Sequence, residues 1–113
     1  MGNKGYVLKD KKSIFIDEQV KIGKNVIIYE NNRIEGDSVI EDNVTIFPNS
    51  FIVNSIIGKG SKIYSSLVES SKIGAGCMVG PYCHLKRVEC ENGIVIQSLS
   101  KLKNKKIVKE KLP

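Results

Sequence analysis

Residues 16–34 read IDEQVKIGKNVIIYENNRI, with isoleucine at every sixth place: Ile16, Ile22, Ile28 and Ile34. The count runs on through Ile40, Ile46 and Ile52, then in steps of five or six through Ile57, Ile63, Val68, Ile73, Val79 and Leu85. All thirteen positions are Ile, Val or Leu, although only 33 of the 113 residues are of those types, so the period is not accidental. Two further features keep the same interval. The residue after the aliphatic is Gly or acidic at eight of the thirteen positions. Four places after the aliphatic, six-residue steps carry a small or β-branched residue (Val20, Val26, Asn32, Ser38, Val44, Ser50, Ser61, Cys77, Cys83). Five-residue steps instead place serine three residues on, at Ser55, Ser66 and Ser71.

A period of six matches neither the 3.6 of a helix nor the 2 of an alternating strand. It suits a short strand followed by a corner, three such units closing one triangular coil. The aliphatic then faces inward from a flat wall, the small residue fits near the corner, and Gly or a short acid tolerates the bend. The expected fold is all-β: a short, single-stranded, left-handed parallel β-helix of the hexapeptide-repeat type, its handedness taken from resemblance to that class. Four coils are expected (16–33, 34–51, 52–67 and 68–84), stacking to about 20 Å at the usual strand spacing. Their walls form three columns: Ile16, Ile34, Ile52, Val68, Leu85; Ile22, Ile40, Ile57, Ile73; and Ile28, Ile46, Ile63, Val79.

The chain divides into a lead-in over 1–13, the β-helix over 14–86 and a basic C-terminal cap over 87–113. Within the cap Ile94–Ile96 reads as a strand and Ile107-Val108 as a second, with a turn near Lys103–Lys105. A short helix over Ser98–Lys103 stays open as an alternative. Both ends of such a prism expose strand edges and core, so caps, self-association or edge-to-edge docking of another β-helix are expected.

Composition narrows the function classes. The longest apolar run is Val26–Tyr29, too short for a membrane span, and the N-terminus lacks a signal-peptide core, so a cytoplasmic protein is expected. Three cysteines, Cys77, Cys83 and Cys90, form neither an even set nor a CxxC pair, which favours free thiols. One histidine, His84, excludes a three-histidine zinc site, so no metal or other cofactor is expected. Of the net charge of +6, residues 87–113 hold the larger part, with seven Lys/Arg against three acids. The cluster Lys101, Lys103, Lys105, Lys106, Lys109 and Lys111 has no interleaved aromatics and reads as solvated surface, which weighs against a nucleic-acid partner.

The segments GYVLKDKKSIFIDEQVKIG, IVNSIIG and SSLVESSKIGAGCMVGPYCHLK, within Gly5–Lys86, resemble the start of one particular domain. It is the acetyltransferase domain of the bacterial bifunctional UDP-N-acetylglucosamine pyrophosphorylase/glucosamine-1-phosphate acetyltransferase. Gly80-Pro81-Tyr82-Cys83-His84-Leu85-Lys86 is the most specific piece. Nothing in the chain resembles that family's nucleotidyltransferase domain. The family prism continues for several more coils, carrying its catalytic histidine and acetyl-CoA surface, whereas the repeat read here stops one residue past Leu85. The resemblance therefore implies a truncated relative, most simply a non-catalytic structural or partner-binding subunit beside a separate nucleotidyltransferase chain. The alternative is a residual sugar-phosphate-binding acyltransferase or nucleotidyltransferase-associated protein.

For the latter, the family's Arg-Pro-Gly becomes Lys86-Arg87-Val88, and Lys86 holds a phosphate as a point charge without arginine's planar fork. Lys86, Arg87 and His84 are the candidate sugar-phosphate residues; His84 is not the family's catalytic histidine, and no catalytic residue is assigned. Gly58-Lys59-Gly60 and Gly74-Ala75-Gly76 read as corners of the repeat rather than phosphate loops. Cys77 and Cys83 fall in the inward small slot. Tyr29, Phe47 and Tyr64 follow the aliphatics of one column and predict an outward ladder that ends at Gly80. An exposed apolar stripe marks a contact surface, here a three-fold self-contact giving a trimer.

Overall fold

The computed structural model describes residues 5–110, and among them every strand pairing is parallel. The chain winds as a left-handed β-helix around three flat walls. The first wall stacks Tyr6–Leu8, Val26–Ile28, Thr45–Ile46, Lys62–Ile63, Met78–Val79 and Val95–Ile96. The second begins with Phe15–Ile16, Arg33–Glu35, Phe51–Val53 and Leu67–Glu69, the third with Lys21–Ile22, Val39–Ile40, Ile56–Ile57 and Lys72–Ile73. Two seven-residue strands, His84–Cys90 and Lys101–Ile107, then run across both of these walls.

The register places Ile16, Ile34, Ile52, Val68 and Leu85 in one column, and the other two columns are likewise those read from the period. From Ile28 to Leu85 all of these aliphatics are at most 1% exposed. Ile16 and Ile22, in the first coil, are half-buried because only one side of them is covered.

Four coils and a cap were expected, yet the stacking continues past Lys86. Leu102 lies over Leu85, Cys90 over Ile73, Ile96 over Val79 and Ile107 over Cys90, so the first wall carries six strands. The repeat does not stop after Leu85; its next inward slot is filled by a cysteine. No helix forms over Ser98–Lys103, because Leu99 turns a corner at φ 66° and a strand starts at Lys101. The lead-in is also part of the prism: Tyr6–Leu8 pairs with Val26–Ile28, and a 3-10 turn at Lys11–Ser13 accounts for the eight-residue step from Leu8 to Ile16. Residues 1–4 of the lead-in and Lys111 of the basic cluster lie outside the described residues.

Corner chemistry differs in one respect from the sequence reading. Apart from Gly80 at φ 100°, the residue in the left-handed region is not the one directly after the aliphatic. It is the third residue on in most six-residue steps (Asn25, Asn31, Asn43, Asn49, Gly60, Gly76) and the second in five-residue steps (Asn54, Ser65, Ser70). Asn and Gly tolerate that conformation best. Gly58 and Gly74, directly after their aliphatics, serve close approach instead: a Cβ on Gly58 would lie 2.5 Å from the Gly74 carbonyl carbon.

Buried serines tie successive corners together. Ser38 Oγ accepts from Ser55 N, Ser55 Oγ from Ser71 N, and Ser71 Oγ from Val88 N, at 3.0–3.1 Å. A second ladder runs from Asn32 through Ser50 and Ser66 to Cys83 N. Among the described residues no buried side-chain polar atom lacks a partner.

Candidate functional site

The inward half of each strand makes the core, so any chemistry sits on the outward half. On the second wall, His84 and Lys86 flank inward Leu85 and therefore point out. The strand below places Glu69 beside Lys86, and His84 Nε2 meets Glu69 Oε2 at 2.5 Å. The strand above places Lys101 beside His84 and Lys103 beside Lys86. Four basic side chains thus occupy one face, about 4.8 Å apart across strands and about 7 Å along them, with Glu69 the carboxylate that neighbours them in register. The geometry suits an oxyanion held by point charges.

Arg87, grouped with these residues by sequence, is directed elsewhere. It occupies the corner between the second and third walls at φ 53°, where its Nε donates to Asn104 Oδ1 at 2.6 Å. There it lines a groove of about 360 Å³ with Asp37, Ile56, Lys72 and Glu89. Lower on the second wall, the Arg33 guanidinium sits between the rings of Phe15 and Phe51, at 5.2 and 5.5 Å, and pairs with Glu35. That arginine is fully engaged.

The first wall has a different character. Tyr29, Phe47 and Tyr64 stack as a ladder, with ring centroids 5.4 and 4.3 Å apart and planes within 7° of parallel. The ladder ends at Gly80, where a Cβ would lie 2.2 Å from the Tyr64 carbonyl oxygen. Val7, Met78 and Val95 lie exposed on the same wall.

All three cysteines are buried and free. Cys77 and Cys83 fill corner slots and donate weakly to the carbonyls of Glu91 and Gln97. Cys90 stands in an aliphatic column, where burial, and secondarily the neighbouring Cys77, pushes its thiol pKa up to about 11. A raised thiol is a poor nucleophile. Both GxG pairs are corners, with Gly60 and Gly76 at positive φ.

The sequence reading missed Glu69, Lys101 and Lys103 as companions of His84 and Lys86. The available signal was the period itself: Leu102 is the next inward residue of the Leu85 column, which fixes Lys101 and Lys103 as outward neighbours.

The chain matches no protein-family model. It is similar to the bifunctional protein GlmU of Synechococcus elongatus and of a Clostridium botulinum strain, 42% identical over 82 residues in each case, and to that of Clostridium kluyveri at 38%. These matches take in 73% of this chain and 18% of each relative, so the chain spans under a fifth of the relatives' length. Among solved structures, PerB from Caulobacter crescentus, in complex with CoA and GDP-perosamine, aligns with a TM-score of 0.50 at 17% identity. That alignment covers 87% of this chain and 49% of PerB, and it speaks to the fold. Among the described residues no helix is long and apolar enough to cross a membrane. With its columns in hexapeptide register and 82 residues alignable at up to 42% identity, the chain has the hexapeptide-repeat β-helix fold and is similar to a segment of the bifunctional GlmU proteins.

Proposed function

We propose that the chain is a non-catalytic β-helix subunit that self-associates as a trimer and presents its remaining walls to a partner in the cytoplasm. The natural partner by this reading is a separate nucleotidyltransferase chain of the sugar-nucleotide pathway to which the GlmU relatives belong. The observation that carries the reading is the first wall: a stacked aromatic ladder, Tyr29, Phe47 and Tyr64, on a face with exposed Val7, Met78 and Val95. Apolar surface of this kind is characteristic of an interaction face. His84, the chain's single imidazole, is held by Glu69 rather than facing a cavity with a nucleophile. Light scattering on the pure chain tests self-association, and a trimer is expected at micromolar concentration. Acetyl transfer from acetyl-CoA to glucosamine-1-phosphate by the pure chain would overturn the non-catalytic assignment.

A second reading is favoured by one observation, the basic face of His84, Lys86, Lys101 and Lys103. Under it the chain holds a sugar phosphate, with Lys86 at the phosphate and Arg87 near the neighbouring corner. Calorimetry with glucosamine-1-phosphate separates the two: millimolar or tighter binding that is lost in Lys86→Ala supports the second, and no heat rejects it.

A further inference from the structure

We propose that Tyr82 and Leu99 anchor a second copy of this chain, extending the first-wall contact around its corner; the inference rests on the self-association reading above. Their backbones make them unusual. Asn, Gly or Ser occupies most left-handed corner positions, and the non-glycine exceptions are Tyr82 at φ 61°, Arg87 and Leu99 at φ 66°. Arg87 is bonded to Asn104. Tyr82 and Leu99 instead occupy the corner between the first and second walls on successive coils. Tyr82 N donates to Ser65 O, and Leu99 N to Pro81 O, above the Asn31, Asn49 and Ser65 turns.

Neither side chain contributes to the core. Tyr82 is 68% and Leu99 78% exposed, the most exposed large hydrophobic residues among those described. Each therefore combines a disfavoured backbone with solvent-facing apolar surface, two costs that Asn at the same place avoids. Burial against another surface is the change that offsets both.

The surrounding surface indicates what covers them. Met78 and Val95, neighbours in register on the first wall, are 41% and 62% exposed. Gly80, between this pair and the corner, approaches the Tyr64 backbone too closely to carry a side chain. Together Met78, Tyr82, Val95 and Leu99 expose on the order of 450 Å², comparable to the largest apolar patch on a typical monomer. The partly buried ladder beside them enlarges this face. Among the described residues, Lys9, whose Nζ lies over the Tyr29 ring, and Lys62 are the charges on this wall, whereas the other two carry mixed or basic rows. A face this poor in charge complements another like it, and the same face of a second copy supplies one.

Tyr82→Asn and Leu99→Asn, singly and together, test this. Asn suits the left-handed corner, so the monomer is expected to be as stable as wild type or more so in urea. Sedimentation from about 1 to about 100 μM is expected to show the double variant's dissociation constant raised at least about tenfold. Phe47→Glu, placed in the ladder, is expected to dissociate the assembly as well. A double variant that associates like wild type overturns the anchoring role while leaving the ladder contact standing. A wild-type chain that stays monomeric throughout that range overturns both readings.

Discussion

Replacing Ser55 by alanine tests whether buried hydroxyls hold the corners. Ser55 is 1% exposed, and its Oγ accepts from Ser71 N at 3.0 Å while donating to Val53 O at 2.9 Å. Val68 O also lies within reach of the hydroxyl at 3.3 Å, and these bonds are not equivalent. Val53 O also accepts from Ser70 N, so it keeps a partner in Ser55→Ala. Ser71 N has its bond to Ser55 Oγ in a corner that excludes water, and the variant leaves it unpaired. A buried amide without a partner costs about 1–3 kcal/mol, so about 2 kcal/mol of stability is at stake. For a domain of this size that corresponds to a fall of about 8–12 °C in Tm. Urea unfolding followed by circular dichroism, at fixed protein concentration, measures the loss as a shift in midpoint at constant slope. Ser70→Asn, next to Ser71 but exposed at φ 48°, is the control and is expected to be neutral or stabilising. A Ser55→Ala loss under about 0.5 kcal/mol would mean that water or backbone relaxation satisfies the corner, and the ladder would not be what holds the coils in register.

Three further outcomes are expected. Ile46→Val should cost about 0.5–1.5 kcal/mol and Ile46→Ala about 2–5 in the same unfolding assay, because Ile46 is fully buried mid-column. Gly58→Ala should cost at or above the about 1–3 kcal/mol of overpacking, since its Cβ would meet the Gly74 backbone, which has no rotamer to yield. Cys90 sets an alkaline limit. Its thiol titrates near 9.0 when unfolded and about 11 when folded. Between these values the folded state holds the proton more tightly, so this contribution is complete below pH about 9 and fades as pH rises towards 11. Urea midpoints should therefore fall more steeply over that window in wild type than in Cys90→Val; equal slopes would remove burial as the cause.

The columns could be read from sequence because an inward slot on a flat wall accepts little besides Ile, Val or Leu. The same criterion ended the reading too soon. Cys90 fills the next slot, five residues after Leu85, and beyond it Ile96, Leu102 and Ile107 resume steps of six, six and five. A small, apolar cysteine packs there as a short aliphatic, which a count of branched residues does not register. At the other end Leu8 was hidden by the turn at Lys11–Ser13. The corner signal is also present, as asparagine three places after Ile22, Ile28, Ile40 and Ile46, whereas Gly58 and Gly74, nearer the aliphatics, mark close approaches. The candidate site was half legible: Lys86 and His84 follow from Leu85, while Lys101 and Lys103 needed the two coils beyond.

The walls divide the labour in a way that makes these readings separable. Inward residues of the three walls pack into one continuous core, so the fold depends on these lines of Ile, Val and Leu and on the corner serines. Outward residues at the flanking positions are nearly free of that constraint. One wall has collected aromatic and aliphatic side chains, a second a basic face at its upper end, and the third glycines that bring backbones together. A substitution such as Lys86→Ala or Leu99→Asn removes surface chemistry without disturbing a column, and one such as Ile46→Ala does the reverse. Loss of binding at unchanged urea midpoint therefore identifies a face residue. Loss of both together points back to the core.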